Sequence, residues 1–268
     1  MPVALRRERA QTRLACGVND EQLMRYSRQI MLPGFGVEAQ QRLLDARVLV
    51  VGLGGLGSPV AMYLAAAGAG TLLLADFDAV DLSNLQRQLL HSGADLGRTK
   101  VDSAIDRLRG LNSDIELEPI KGSLNAERLA ELAGRVDLIV DCCDNFATRF
   151  AVNAACVAHR IPLVSGAAIR TEGQVCIFSG QPGAPCCLRW WASSAACRPP
   201  RPSRYSPALE NRCSDACCCS THCIWNGVAF VCQLTPLVLS AALVPSLRVS
   251  RDATSAERLS TSTAIPRR

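Results

Sequence analysis

Apolar residues gather in short runs along the first two thirds of the chain, and amphipathic stretches separate them. Arg47-Val-Leu-Val-Val51, rich in β-branched residues and stopped by Gly52, predicts a buried strand. Thr71–Ala75, Ile115–Ile120, Val136–Val140 and Ile161–Ser165 repeat that signature, and Thr171–Ser179 also has strand character. Between them, helices are predicted over Ser58–Ala67, Arg98–Leu111, Leu124–Leu132 and Phe146–His159; in the second, Val101, Ile105 and Leu108 share one face. Upstream, Asn19 with Gln22 three residues on marks a helix start, Leu23, Tyr26 and Ile30 give an apolar face, and Val37–Ala46 reads as a second helix. Strands alternating with helices of about a dozen residues predict βαβ units, hence an α/β, Rossmann-like nucleotide-binding fold on a mostly parallel sheet.

The pattern stops after Gly183. Residues 186–227 carry Pro199-Pro200, Pro202, Pro207 and Cys217-Cys218-Cys219 with neither helical nor strand period, and no internal repeat is present. Three regions are therefore expected: a loose leader over 1–18, an ATP-binding domain over 19–185, and an atypical tail over 186–268 rich in Cys, Arg, Ser and Pro, read as poorly ordered.

Composition sharpens that division. The chain has 268 residues, 49% of them hydrophobic and 20% charged, which excludes a wholly disordered chain and a small disulfide scaffold. Up to Pro185 there are 19 basic and 20 acidic residues; from Cys186 on there are 10 Arg, no Lys and 4 acids, so the tail carries the net +5. With only 4% aromatic residues, stacking platforms for nucleic acid are scarce, and no nucleic-acid partner is expected. The 17-residue apolar run Val228–Val244 contains Gln233, Thr235 and Pro236 and reads as buried rather than membrane-spanning. Fourteen cysteines with no export signal predict a reducing, cytoplasmic setting.

The candidate chemistry begins at Gly52-Leu-Gly54-Gly55-Leu-Gly57, which follows a strand and opens a helix. Glycines let the backbone approach phosphates, and the helix N-terminus supplies N–H donors and a positive dipole end. Asp76, 24 residues after Gly52 at the end of the second strand, is placed to accept ribose hydroxyls, with Asp78 on the same side if the strand continues. These features suit NAD as well as ATP. Ser83-Asn84-Leu-Gln86-Arg87, Lys100 (one of two lysines) and Arg28 favour ATP, because a departing pyrophosphate needs several cations and a dinucleotide does not. Asp144 and Asn145 follow the Val136–Val140 strand, at the ligand-binding edge of an open sheet; Asp144 suits Mg²⁺, or alternatively the cap of the Phe146–His159 helix.

With Arg25-Tyr-Ser-Arg28-Gln-Ile and Pro162-Leu-Val-Ser-Gly-Ala-Ala-Ile-Arg-Thr-Glu-Gly-Gln174, these segments resemble, in order and over residues about 21–186, the ThiF/MoeB/HesA family of adenylyltransferases, relatives of the ubiquitin-activating enzymes. The resemblance implies ATP·Mg²⁺-dependent adenylylation of the C-terminal Gly-Gly of a ubiquitin-like sulfur carrier, for molybdopterin or thiamine synthesis. It implies nucleotide contacts at Gly55, Asp76, Asn84, Arg87, Lys100 and Asn145, Mg²⁺ at Asp144, and a homodimer in which Arg28 reaches the partner subunit's triphosphate. An NAD-dependent oxidoreductase and an ATP-binding remnant are the rival readings. No rhodanese-like segment is recognised, so sulfur is expected from another protein.

The family also implies a zinc held by two Cys-x₂-Cys pairs. Cys186 matches the start of the first pair, but position 189 is Arg189 and no such pair occurs in the chain, which leaves zinc in doubt. Cys213, Cys217, Cys218, Cys219, Cys223 and His222 form a cluster without diagnostic spacing. The abrupt change of composition leads to the expectation that the reading frame shifts near Cys186–Cys187. Resequencing the gene tests it, and an intact frame with a well-ordered tail is the contrary result.

Overall fold

The computed structural model describes residues 17–169, 172–180 and 218–221. In chain order these form α1 (Asp20–Arg25), α2 (Ser27–Ile30), α3 (Gly36–Asp45), β1 (Arg47–Val51), α4 (Gly57–Ala67), β2 (Thr71–Ala75), α5 (Lys100–Leu111), β3 (Glu116–Ile120), α6 (Ala126–Ala133), β4 (Leu138–Asp141), α7 (Phe146–His159), β5 (Leu163–Ile169), β6 (Glu172–Phe178) and β7 (Cys218–Thr221). The leader to residue 16, Cys186, the Cys213–Cys217 and His222–Cys223 positions and Val228–Val244 lie outside the described residues.

One seven-stranded sheet has the order β3-β2-β1-β4-β5-β6-β7. The first five are parallel; β6 and β7 run antiparallel at one edge. Strand side chains alternate between two cores. Val48, Val50, Leu72 and Leu74 pack with Leu64 of α4 and Leu108 of α5, whereas Leu49, Val51, Leu73 and Ile139 pack with Leu129 of α6 and Val152 of α7. Burial on both faces is why these strands read as continuous apolar runs rather than alternating ones. The edge strand β3 has Glu116, Glu118 and Pro119 instead, residues that discourage further pairing.

Helix boundaries follow their caps. Asn19 and Gln22 form the expected capping box on α1. The helix expected from Arg98 starts at Lys100, because the Thr99 hydroxyl accepts the Asp102 N–H and Gly97 turns at φ 80°. Ala46, expected in α3, is extended. The helix expected to carry Leu23, Tyr26 and Ile30 on one face is broken at Tyr26 into α1 and α2; the 3-10 turns at Leu82–Asn84 and Gly93–Asp95, and β7, are too short to show a period, and the sequence pattern did not indicate them.

The N-terminal helices dock at the C-terminal end of α4, away from the glycine loop. Tyr26 is buried; its hydroxyl accepts from Asn112 Nδ2 at 2.9 Å, and Asn112 Nδ2 also donates to the Ala65 carbonyl at 2.8 Å. The Tyr26 ring lies where a Cβ on Gly68 would come within 2.5 Å of it. Gln29 Nε2 adds a bond to the Ala67 carbonyl at 2.8 Å. Asn112→Ala is expected to destabilise the fold by about 1–3 kcal/mol by leaving these buried acceptors unpaired. Denaturant titration measures the loss, and hydrogen exchange should show faster opening of α1 and α2 than of the sheet.

Candidate active site

The parallel strands on either side of the β1–β4 boundary connect outward in opposite directions, so their C-terminal turns diverge and open a crevice there. The glycine loop lines one side. Gly52 turns at φ 89°, and a Cβ on it would fall 2.9 Å from the Cys142 carbonyl oxygen. A Cβ on Gly57 would fall 1.8 Å from the Gly52 carbonyl oxygen, so only glycine lets α4 start this close to β1. Gly54 and Gly55 face Gln88 Nε2 and the Arg87 chain; Cβ atoms there would stand 3.6 and 3.3 Å from them. No side chain caps α4; the Ser58 N–H goes to the Gly54 carbonyl at 2.9 Å and Pro59 has no N–H, so the Gly57 amide is the first-turn donor left for an anion.

Asp76 and Arg87 reach the glycine loop, with Asn84 and Lys100 beside them, whereas Arg28 does not and Cys186 lies outside the described residues. Asp76 Oδ2 accepts the Leu53 N–H at 2.7 Å and Oδ1 accepts the Asp78 N–H at 2.8 Å, which braces the loop and leaves lone pairs for further donors. Strand β2 ends at Ala75, so Asp78 does not continue its alternation; it holds Lys100 instead, with Nζ–Oδ2 at 2.7 Å and Lys100 buried. Asp81 caps the 3-10 turn by accepting the Ser83 N–H and hydroxyl, and these bonds depress its carboxyl pKa. Arg87 donates to Asn84 Oδ1 at 2.9 Å and to the Ser83 carbonyl at 3.3 Å. Gln86 is exposed.

On the other side of the crevice, Asn145 rather than Asp144 caps α7, accepting the Thr148 N–H at 2.8 Å. This corrects the alternative of Asp144 as cap: its carboxylate is exposed and unpaired among the described residues. An exposed free carboxylate beside a phosphate cradle fits Mg²⁺, which takes one or two carboxylates plus phosphate oxygens. Arg28 is exposed on α2, whose neighbour Gln29 is fastened to the far end of α4. An 11-residue helix is about 16 Å long, so the structure does not bring Arg28 to this chain's own crevice. Among the described residues no His, Cys, Asp and Glu cluster could hold a metal on its own, and no helix is long and apolar enough to cross a membrane.

Three features escaped the sequence reading. Buried Asp141 accepts from the Cys143 N–H at 3.1 Å and the Ser165 hydroxyl at 2.9 Å, and pairs with Arg149 at 3.4 Å. Arg149 also donates to the Cys143 and Gly166 carbonyls, so this network holds the 142–145 turn between β4 and β5. Gln88 Oε1 is buried without a partner among the described residues. His91 is buried under the loop. The only sequence signal for these was polar residues inside otherwise apolar or glycine-rich stretches. Burial and the Asp141 charge push the Cys142 and Cys143 thiols well above the usual range, and burial brings Cys156 up to about 12, so none of the three is an activated nucleophile.

A ThiF family model matches residues 26–244. The chain is 52% identical to the molybdopterin-synthase adenylyltransferase of Escherichia coli K12 over 169 residues, 63% of this chain and 68% of that one. It is 49% identical to the sulfur carrier protein ThiS adenylyltransferase of the same organism over 162 residues, 60% of this chain and 64% of that one. The crystal structure of E. coli MccB with AMPCPP and MccA shares the fold, with a TM-score of 0.61, 24% identity, and coverage of 82% of this chain and 63% of that one.

The glycine geometry yields a contrast. Gly57→Ala is expected to destabilise by about 1–3 kcal/mol through its clash with the Gly52 carbonyl. Gly54→Ala is expected to change stability by less than about 1 kcal/mol. Thermal unfolding of the two variants checks it.

Proposed function

The chain belongs to the ThiF family, and on that premise we propose that it adenylylates the C-terminal Gly-Gly carboxylate of a ubiquitin-like sulfur-carrier protein at the expense of ATP. The relatives that match it at about half identity are named as adenylyltransferases, which supports the class of reaction. The observation that carries the reading is the crevice itself: the glycine loop with its open Gly57 amide, the Arg87 chain against Gly55, buried Lys100, and the free Asp144 carboxylate.

In the proposed step a carrier carboxylate oxygen attacks the α-phosphorus of ATP. A new P–O bond forms, the bond to the β-phosphate oxygen breaks, and pyrophosphate leaves with the electron pair. No proton transfer by a protein base is required, because the nucleophile is already a carboxylate. The opposition is electrostatic, anion against polyanion. Arg87 and Lys100 offset it, and both stabilise the charge that grows on the departing pyrophosphate. Gly52, Gly54, Gly55 and Gly57 admit the phosphates to the backbone, Asp76 accepts ribose hydroxyls, and Asp78 keeps Lys100 oriented. Ser83, Asn84, Gln86 and Asn145 complete the polar lining. Mg²⁺, held by Asp144, supplies further charge neutralisation on the phosphates. Arg28, remote from its own crevice, serves the partner subunit's site in a homodimer.

An NAD-dependent oxidoreductase would use the loop and Asp76 but has no need of Arg87 and Lys100. The second reading, ATP binding without transfer, is favoured by one observation: the chain lacks any Cys-x₂-Cys pair, so the family's zinc site cannot form in its usual way. ATP–pyrophosphate exchange with Mg²⁺ and a purified carrier ending in Gly-Gly separates these readings. Carrier-dependent exchange supports adenylylation; ATP binding without exchange supports the second reading; displacement of a bound fluorescent nucleotide by NAD but not by ATP·Mg²⁺ supports the oxidoreductase. Asp144→Ala is expected to lower exchange at least a hundredfold, about the loss for removing one charge-stabilising group, with an unchanged unfolding curve. Wild-type-like exchange in that variant contradicts the assignment.

A further inference from the structure

The adenylylation reading leaves the buried polar groups under the glycine loop without a role, and His91 is their centre. Its Nε2 stands 3.1 Å from the Leu53 carbonyl oxygen and its Nδ1 stands 2.9 Å from Ser103 Oγ. A carbonyl oxygen only accepts, so Nε2 carries the hydrogen, and in the neutral ring Nδ1 is the acceptor that faces the Ser103 hydroxyl, on which the Asp95 carboxylate also draws. Three charged groups act on the ring: Lys100 of α5 opposes its protonation, whereas Asp76 after β2 and Asp95 in the second 3-10 turn favour it. Burial outweighs the two carboxylates and holds the imidazole pKa below its usual value, so the ring is neutral at pH 7.

Its two partners belong to the glycine loop and to the helix that carries Lys100. Leu53 is the residue between Gly52 and Gly54; its N–H is held by Asp76 at 2.7 Å, and its carbonyl also accepts the Ser58 hydroxyl at 3.0 Å. Ser103 lies three residues beyond Lys100 on α5, on the same helical face. The imidazole is therefore a rigid strut between the phosphate cradle and the helix that carries the buried cation. A core-filling role needs the ring's volume but neither of its nitrogens.

We propose that His91 is a positioning residue for nucleotide binding, whose Nε2–H tautomer locks the Leu53 peptide, and with it the glycine loop, at a fixed distance from Lys100. The proposal rests on the reading that the loop and Lys100 bind ATP. In His91→Asn the shorter amide keeps a group near Ser103 and loses the donor to Leu53. In His91→Gln the amide nitrogen reaches the Nε2 position.

The test titrates ATP·Mg²⁺ into the full-length chain by calorimetry and measures carrier-dependent pyrophosphate exchange on the same samples. His91→Asn is expected to weaken ATP binding about tenfold, the usual effect of one lost buried hydrogen bond. His91→Gln should recover most of that loss, and KM for the carrier should not move in either variant. Nitrogen-15 NMR of the wild-type imidazole should show the hydrogen on Nε2. A folded His91→Asn chain that binds ATP like wild type overturns the proposal, as do equal losses in the Asn and Gln variants or a hydrogen on Nδ1. Should His91→Asn fail to fold, Ser103→Ala leaves the ring in place and frees Nδ1; weaker ATP binding there supports the strut, and unchanged binding overturns it. Wild-type ATP binding without exchange rejects adenylylation and leaves the strut to be judged on affinity alone. A wild-type chain that binds no ATP rejects both.

Discussion

The carbonyl oxygen of Gly52 occupies the place where a Cβ at position 57 would stand, 1.8 Å away. That contact lets helix α4 begin directly at the end of β1. With β1 flanked by β2 and β4, the start of α4 then falls at the divergence of the sheet's two halves. The same turn presses Gly52 against the Cys142 backbone, so the loop after β1 and the loop after β4 are packed on one another. Asp76, Arg87, Lys100 and Asp144 all hang from elements whose positions this packing sets.

The crevice combines groups left open with groups already paired inside the chain. The first turn of α4 has no capping side chain, and Asp144 has neither hydrogen bond nor ion pair among the described residues. The two cations are handled differently. Lys100 is buried, and Asp78 at 2.7 Å compensates its desolvation. Arg87 stays exposed and is only loosely fixed by Asn84 and the Ser83 carbonyl. A buried, paired lysine gives a fixed point of charge; an exposed arginine can follow a phosphate that moves. Asp141 and Arg149 supply the rigidity on the β4 side without facing the crevice.

The chain changes composition near Pro185. The part up to Pro185 is nearly neutral and alternates strand and helix; from Cys186 on the basic residues are all arginine. The relatives near half identity align over 162 and 169 residues, about the length of the patterned part, whereas the family model matches residues 26–244.

Much of this was legible in the residues. Strands β1 and β2 and helix α7 fall at the predicted limits because a doubly buried strand must be apolar throughout and because a helix ends at its caps. The glycine loop was legible because close backbone approach excludes every other residue type. Chain order could not show that Asn145 rather than Asp144 caps α7, that Asp78 serves Lys100, or that Arg28 sits on a helix docked at the end of α4 remote from the glycine loop. Nor could it show His91 joining Leu53 to Ser103, residues 50 apart. Periodicity reports which face of an element is buried, a local property. The partner of a polar side chain depends on which elements lie side by side, and only the tertiary structure decides that.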